Sequence, residues 1–250
     1  MSEQQLESSS VNGSVDGNDV EKRRRELEKK LRGRPDFSSN GGSNNGNGSV
    51  NGKASEPRVH LVTSVDFPTR FGHFRLYGFN DTYSGKEHTA IVRGDVSGRE
   101  HCPVRVHSEC HTGDVWGSLR CDCRDQLEAA IAFVAEREYG AVIYLRQEGR
   151  GIGLLNKIKA YKLQDLGLDT VEANHFLGFP AEARDYTVAA RIIELLEIRS
   201  ISLLSNNPDK IEQLRAHGIN VADRIPIVIK PNQHNARYLE TKKEKMGHLF

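Results

Sequence analysis

"DQLEAAIAFVAEREYGAVIYLRQEGRGIGLLNKIKAY", residues 125–161, decides the fold. Its first part has helical periodicity. Leu127, Ile131 and Val134 share a face, Asp125 and Glu128 read as a capping box, and Gly140 stops the helix. "AVIYLRQ" (141–147) then reads as a buried strand. After a glycine-rich turn, residues 152–165 return to helix, with Leu154, Ile158 and Tyr161 on one stripe.

Working toward the N-terminus, segments 59–66, 71–78, 88–96 and 103–108 are rich in Val, Phe and Arg or alternate, and read as strands. Toward the C-terminus, "ARDYTVAARIIELLE" (183–197) reads as a helix and "ISLLS" (201–205) as a strand. "NNPDKIEQLRAHG" (206–218) is a helix with Asn207 as cap, Pro208 at its first position and Gly218 at its end. A basic helix is expected near 235–246. N-terminal strands followed by alternating strands and helices predict one mixed α/β (α+β) domain over 57–250.

Residues 1–56 read differently. "EKRRRELEKKLRGR" (21–34) is a charge run suited at most to a fraying helix, and "SSNGGSNNGNGSVNG" (38–52) has almost nothing to bury. A disordered low-complexity tail is expected there. Lys+Arg number 35 against 34 Asp+Glu, so nothing global favours nucleic acid as a partner. No apolar run approaches the ~20 residues of a membrane span. "MSEQQLESSS" lacks a basic n-region and an apolar h-region, so a cytoplasmic protein with reduced thiols is expected.

"HSECHTGDVWGSLRCDC" (107–123) holds three of the four cysteines. Cys110, Cys121 and Cys123 come from a strand end and a helix-entry loop, and three such thiolates can converge on one zinc. Structural zinc sites close with four protein ligands, whereas catalytic sites keep one position open. Cys102 begins the same strand as Cys110 and lies over ~20 Å away at ~3.3 Å per residue. His107 and His111 are nearer rivals for a fourth position. Asp122 either orients a ligand or is solvated.

"RQEGRGIGLLNK" (146–157) follows a strand and opens a helix. Gly149, Gly151 and Gly153 would let backbone N–H groups approach an anion, with Arg150 adding charge. It is neither a Walker loop nor a dinucleotide fingerprint. "SNNPDK" (205–210) repeats the grammar with Ser205 and Lys210 at a helix start. Two such turns at strand carboxyl ends suit one polyphosphate.

"RVHSEC", "SLRCDC", "RQEGRGIGLLNKIKAY", "DTVEANHFLGF", "LLSNNPDKIEQL" and "KMGHL", in that order over 57–250, resemble the GTP cyclohydrolase II family. The resemblance implies conversion of GTP to 2,5-diamino-6-ribosylamino-4(3H)-pyrimidinone 5′-phosphate, formate and pyrophosphate, at the start of riboflavin biosynthesis. It implies one Zn²⁺ per subunit on Cys110, Cys121 and Cys123, Mg²⁺ with the substrate phosphates, and a homodimer. Zinc suits the ring opening, since it lowers the pKa of bound water toward ~7. Arg105, Val106, His107, Ser108, Glu109, Gln126, Glu148, Gly149, Arg150, Thr170, Ser205 and Lys210 match GTP contacts, Ser205 standing where Thr is common. Tyr161 matches a tyrosine linked to completing the hydrolysis, with a core tyrosine as the bland alternative. Arg184 matches an arginine proposed as nucleophile at the α-phosphate. A guanidinium stays protonated, so binding developing charge suits it better.

One position departs from the pattern. The family motif D-x-R carries an aspartate as proton acceptor, and here Glu182 precedes Arg184. The extra methylene adds about 1.5 Å of reach, and a catalytic displacement of ~1 Å costs ~10²-fold. Two alternatives to full turnover therefore stand: a paralogue stopping at a partial product, and a non-catalytic zinc-containing GTP-binding protein.

Overall fold

The computed structural model describes residues 58–180 and 183–236, with parts of 22–30 and 239–249. The chain divides into two units, Met1–Gly48 and Ser49–Phe250. In the first, the described residues among 22–30 are helical, within the charge run read as suited at most to a fraying helix. The remainder of the expected tail lies outside the described residues.

In the second unit the apolar alternation builds seven strands. They are β1 (Val59–Thr69), β2 (Gly72–Asp81), β3 (Lys86–Arg93), β4 (Cys102–Ser108), β5 (Gly140–Leu145), β6 (Ile201–Leu204) and β7 (Val221–Ile225). One sheet holds them in the order β1-β2-β3-β5-β4-β6-β7. The β1-β2-β3-β5 half is antiparallel, and β5, β4, β6 and β7 run parallel. The helices are α1 (Cys123–Ala135), α2 (Leu154–Asp165), α3 (Thr170–Phe176), α4 (Thr187–Leu195) and α5 (Pro208–Ala216). This is the mixed α/β architecture predicted. Among the described residues no helix is long and apolar enough to cross a membrane.

Period-two alternation assigns the two sheet faces. Cys102, Val104 and Val106 of β4, with Ala141, Ile143 and Leu145 of β5, join Ile192 and Ile193 of α4 in the larger core. Val142 and Leu204 face the other way, onto Ala130 and Val134 of α1. Arg105 and His107 alternate with the β4 core residues, so they belong to the α1 side.

The chain leaves β4 to reach β5 on one side, then crosses to β6 on the other. The carboxyl end of β4 is therefore a topological switch point, where connections diverge and leave a crevice.

Several sequence expectations need correction. The capping box at Asp125 and Glu128 does not form, because α1 already begins at Cys123, with Asp122 before it. Glu128 instead pairs with Arg124 (2.9 Å) and Arg70 (2.6 Å). The real box opens α3, a helix the periodicity did not reveal. The Asp169 side chain accepts from Val171 and Glu172 N–H, and Glu172 accepts from Asp169 N–H at 2.9 Å. The helix expected from Ala183 begins at Thr187, because Asp185 binds the Thr187 N–H (2.8 Å) in a turn of its own. The short edge strand β7 also went unread. The basic helix near 235–246 lies partly outside the described residues, and 236, 239, 240, 243 and 244 are helical. The Asn207 cap with Pro208 stands as read, accepting from Asp209 N–H at 3.1 Å.

β3 ends at Gly94, which has φ +60 and whose missing Cβ makes room for the Glu138 carbonyl oxygen. Gly85 has a similar φ of +66 but open space around it. Gly94→Ala is expected to lose more stability than Gly85→Ala. The latter bears only the left-handed strain of about 1–2 kcal/mol, and urea midpoints of the two variants measure the difference.

Candidate active site

Cys110 leaves β4 two residues after its end and starts a π-helical turn, His111–Val115. That turn folds the chain back, with Asp114 N–H on the Cys110 carbonyl at 2.6 Å. Cys123 is the first residue of α1 and Cys121 lies just before it. The three sulfurs lie within 4.8 Å of one another, with Cys110 and Cys121 3.7 Å apart. Tetrahedral Zn–S bonds of ~2.3 Å put sulfurs ~3.8 Å apart, so the cluster fits zinc. Among the described residues no histidine or carboxylate joins the group. Cys102 is buried at the far end of β4, outside it. Gly113 fits against the cluster, since a Cβ there would meet Cys121 Sγ at 2.9 Å and Cys110 Sγ at 3.0 Å.

The sulfurs also perturb one another. Hydrogen bonds from Cys121 and Cys123 hold the Cys110 thiol well below its ordinary value, helped by the nearby Lys157 charge. The bond to Cys110 in turn pushes Cys121 up to about 11. Crowded thiols of this kind need a cation before all three ionise.

α2 supplies the wall beside them. Lys157 Nζ donates to Cys110 Sγ (3.0 Å) and to Glu148 Oε1 (2.8 Å). The buried Glu148 also receives the His111 and Gly149 N–H groups. Burial works against the Lys157 charge, but the Cys110 thiolate and Glu148 more than offset it, raising its pKa. One turn on, Tyr161 Oη lies 3.3 Å from Thr112 Oγ1, which is 3.8 Å from Cys110 Sγ. Burial pushes the Tyr161 phenol up to about 12. The apolar stripe expected on this helix is not its core face. Ile158 is 48% exposed, whereas Ala160 and Leu163 are buried. Tyr161 therefore belongs to the cleft wall.

The end of β4 forms the floor. Arg105 is buried and donates to the Leu204 carbonyl (2.9 Å) and to Gln126 Oε1 (2.7 Å). Gln126 Nε2 passes the chain on to Asp122 at 2.5 Å. Burial lowers the Arg105 pKa and the Asp122 carboxylate raises it. Asp122 is thus a buried counter-charge, which resolves the two readings of it. His107 binds Asp114 through Nε2 at 3.1 Å. Ser108 Oγ accepts from Gln147 Nε2 at 3.1 Å, and Glu109 pairs with Arg146 at 3.1 Å. The Val106 side chain lies in the opposite core, and its carbonyl accepts from Lys210 Nζ at 2.7 Å.

The two anion-suited turns meet in one cleft. Gly149 (φ +64) and Arg150 (φ +60) are consecutive left-handed residues after β5. Gly151 lacks the Cβ that would come within 2.6 Å of the Ala183 carbonyl oxygen. Ala183 N–H donates back to the Arg150 carbonyl at 3.2 Å, which tethers the segment carrying Arg184. From β6 come Ser205, whose Oγ accepts the Asn207 N–H at 3.1 Å, and the buried Lys210. Thr170 enters at the start of α3. Among the described residues, the cleft is lined by every predicted site residue except Val106. Glu182 lies outside the described residues.

A family model described as GTP cyclohydrolase II matches residues 60–226. The chain belongs to the GTP cyclohydrolase II family. It is 53% identical over 192 residues to the GTP cyclohydrolase-2 of Picrophilus torridus, covering 77% of this chain and 100% of that one. The GTP cyclohydrolase-2 of Saccharophagus degradans is 55% identical, with 77% and 96% covered. The riboflavin biosynthesis protein RibBA of Endomicrobium trichonymphae is 50% identical over 79% of this chain but only 49% of its own length. This GTP cyclohydrolase II family member also brings to the cluster residues that motif reading missed. Gly113, Asp114 and Lys157 surround the cysteines. The only sequence signals were the small residue between Cys110 and Cys121 and the four-residue spacing of Lys157 and Tyr161.

Gly113→Ala tests the cradle. Its φ is not left-handed, so the cost comes from the space held by the three cysteine side chains. The variant is expected to keep its far-ultraviolet circular dichroism while its bound zinc per chain, read by plasma emission spectroscopy, falls at least about tenfold at limiting metal, the scale of a disturbed ligand shell.

Proposed function

We propose that the protein is an active GTP cyclohydrolase II that carries out the first step of riboflavin biosynthesis. It hydrolyses GTP to 2,5-diamino-6-ribosylamino-4(3H)-pyrimidinone 5′-phosphate, formate and pyrophosphate. One observation carries this reading: the three-sulfur cluster, with the Tyr161 hydroxyl beside it, shares a cleft with the cation-rich turns. An open metal position and an anion-binding end in one cleft suit a reaction that needs both.

Cys110, Cys121 and Cys123 would hold the zinc, one per subunit. When bound, it supplies Lewis acidity and lowers the pKa of water for attack at C8 of the guanine. Lys157 offsets part of the negative charge of three thiolates around a dication. Tyr161 is protonated near neutrality, as a phenol ordinarily is, and burial pushes its pKa further up, to about 12. It donates a hydrogen bond to the opening imidazole ring and assists departure of formate. Arg105, His107, Ser108, Glu109 and Gln126 flank the nucleotide along β4 and α1, with Val106 acting through its backbone. Glu148, Gly149, Arg150, Thr170, Ser205 and Lys210 serve the ribose and phosphate end. Arg184 binds the charge that develops at the α-phosphate, since a guanidinium is a poor nucleophile. Glu182 takes the proton-acceptor role given to aspartate in the family motif. Mg²⁺ enters with the triphosphate. The protein works in the cytoplasm as a homodimer.

Two measurements test this. With GTP, Zn²⁺ and Mg²⁺, formate and pyrophosphate are expected in equal amounts, together with the diaminopyrimidine. Pyrophosphate without formate would instead mark a paralogue that stops early, and neither product a GTP-binding protein without turnover. Tyr161→Phe is expected to cut formate release by about 10²- to 10⁴-fold, the range of a lost proton donor, with pyrophosphate release surviving. Glu182→Gln is expected to lose turnover that Glu182→Asp retains. Equal rates for Glu182→Gln and the parent would remove Glu182 from acid–base chemistry.

A further inference from the structure

Asp114 is absent from the roles assigned above, yet it is among the most heavily engaged carboxylates near the cleft. Its side chain is 5% exposed. Oδ2 accepts from Cys110 N–H (3.0 Å), Tyr144 Oη (2.8 Å) and His107 Nε2 (3.1 Å). Oδ1 lies 3.2 Å from the same His107 nitrogen. An ionised carboxylate only accepts hydrogen bonds, so His107 must donate from Nε2. In a neutral ring, Nδ1 is then left with a lone pair. Burial lowers the His107 pKa and favours that neutral ring.

The other side of the ring is unusual. Among the described residues, His107 Nδ1 is buried with no hydrogen-bond partner. His107 is 2% exposed, lines the cleft, and stacks on Tyr144 with centroids 5.4 Å apart. Burying an acceptor without a partner costs ~1–3 kcal/mol, so the arrangement favours a ligand that brings a donor. The histidine does not join the sulfur cluster, so metal does not account for Nδ1.

We propose that Asp114 is a positioning residue. It fixes His107 as the Nε2–H tautomer, so that Nδ1 presents a rigid acceptor to a donor group of the bound nucleotide. The donor edge of a 2-amino-6-oxopurine, with its ring N–H and exocyclic amine, matches that acceptor. This deepens the proposed function and rests on GTP being the ligand.

Asp114→Asn separates the Asp114 contacts. Its amide oxygen can take the Oδ2 position and keep the Cys110 and Tyr144 donors. Its NH₂ then falls at Oδ1, 3.2 Å from His107 Nε2, where a donor beside the Nε2–H disfavours that tautomer and shifts the proton toward Nδ1. In the zinc-loaded full chain, long-range ¹H–¹⁵N imidazole spectra are expected to show Nε2–H in the parent and Nδ1–H in Asp114→Asn. Zinc per chain should not change. Affinity for the α,β-methylene analogue of GTP should fall about 10- to 100-fold, a lost hydrogen bond plus a donor facing a donor. Tyr144→Phe removes another Asp114 partner without touching the tautomer, and should bind the analogue within about threefold of the parent.

A parent spectrum showing Nδ1–H overturns the proposal, even if Asp114→Asn does not fold. So does an inverted tautomer with unchanged affinity, or a Tyr144→Phe loss as large as that of Asp114→Asn. If the parent ignores the analogue altogether, the GTP reading fails, and the tautomer assignment stands or falls on the spectrum alone.

Discussion

The parallel pairing of β4 between β5 and β6 governs everything else in the molecule. It brings three strand carboxyl ends to one edge and sends the connections from them in opposite directions. The Cys110 turn, the Gly149–Arg150 turn and the Ser205–Lys210 turn all follow from those ends. Their convergence is a property of topology, and the side chains exploit it. Residues separated by about a hundred positions become hydrogen-bond partners across β4, such as Lys210 with Val106 and Arg105 with Leu204.

Burying cations at such an edge is costly unless each has a fixed partner. Arg105 is answered through Gln126 by Asp122. Lys157 is answered by Glu148 and Cys110. Lys210 rests on a backbone carbonyl and lies 5.3 Å from the Tyr186 ring centroid. These pairings hold positive charge inside the cleft, part of it on Cys110 itself through Lys157. They also explain why Asp122 sits inside the protein rather than in solvent.

The parts of this arrangement that were readable from sequence are those with local signals. The strand–turn–helix grammar of 141–165 and the Asn207–Pro208 helix start depend on neighbours in the chain, and both were found. The C-x10-C-x-C spacing marked the three-sulfur cluster for the same reason. The misses have a shared cause. The Asp125–Glu128 pair looked like a cap, but Arg70, 58 residues away, competes for Glu128. α3 was hidden because its apolar face is short, although Asp169 and Glu172 carried the signal. Asp114 and Lys157 look like ordinary charged residues until the fold closes them around His107 and Cys110. Nothing in a local window encodes that a β4 histidine meets an aspartate in the next turn through a π-helical fold.

The 3.7 Å separation of Cys110 and Cys121 Sγ has a consequence for the lifetime of the protein. A disulfide needs the sulfurs at about 2.05 Å, closer than they stand here. Metal and oxidant therefore compete for the same pair of atoms. With no cation on these sulfurs, oxidation to a Cys110–Cys121 crosslink would leave Cys123 alone and shut out a metal. Resistance to oxidative inactivation in this fold is thus set by how tightly the cation is held, more than by how well the thiols are hidden.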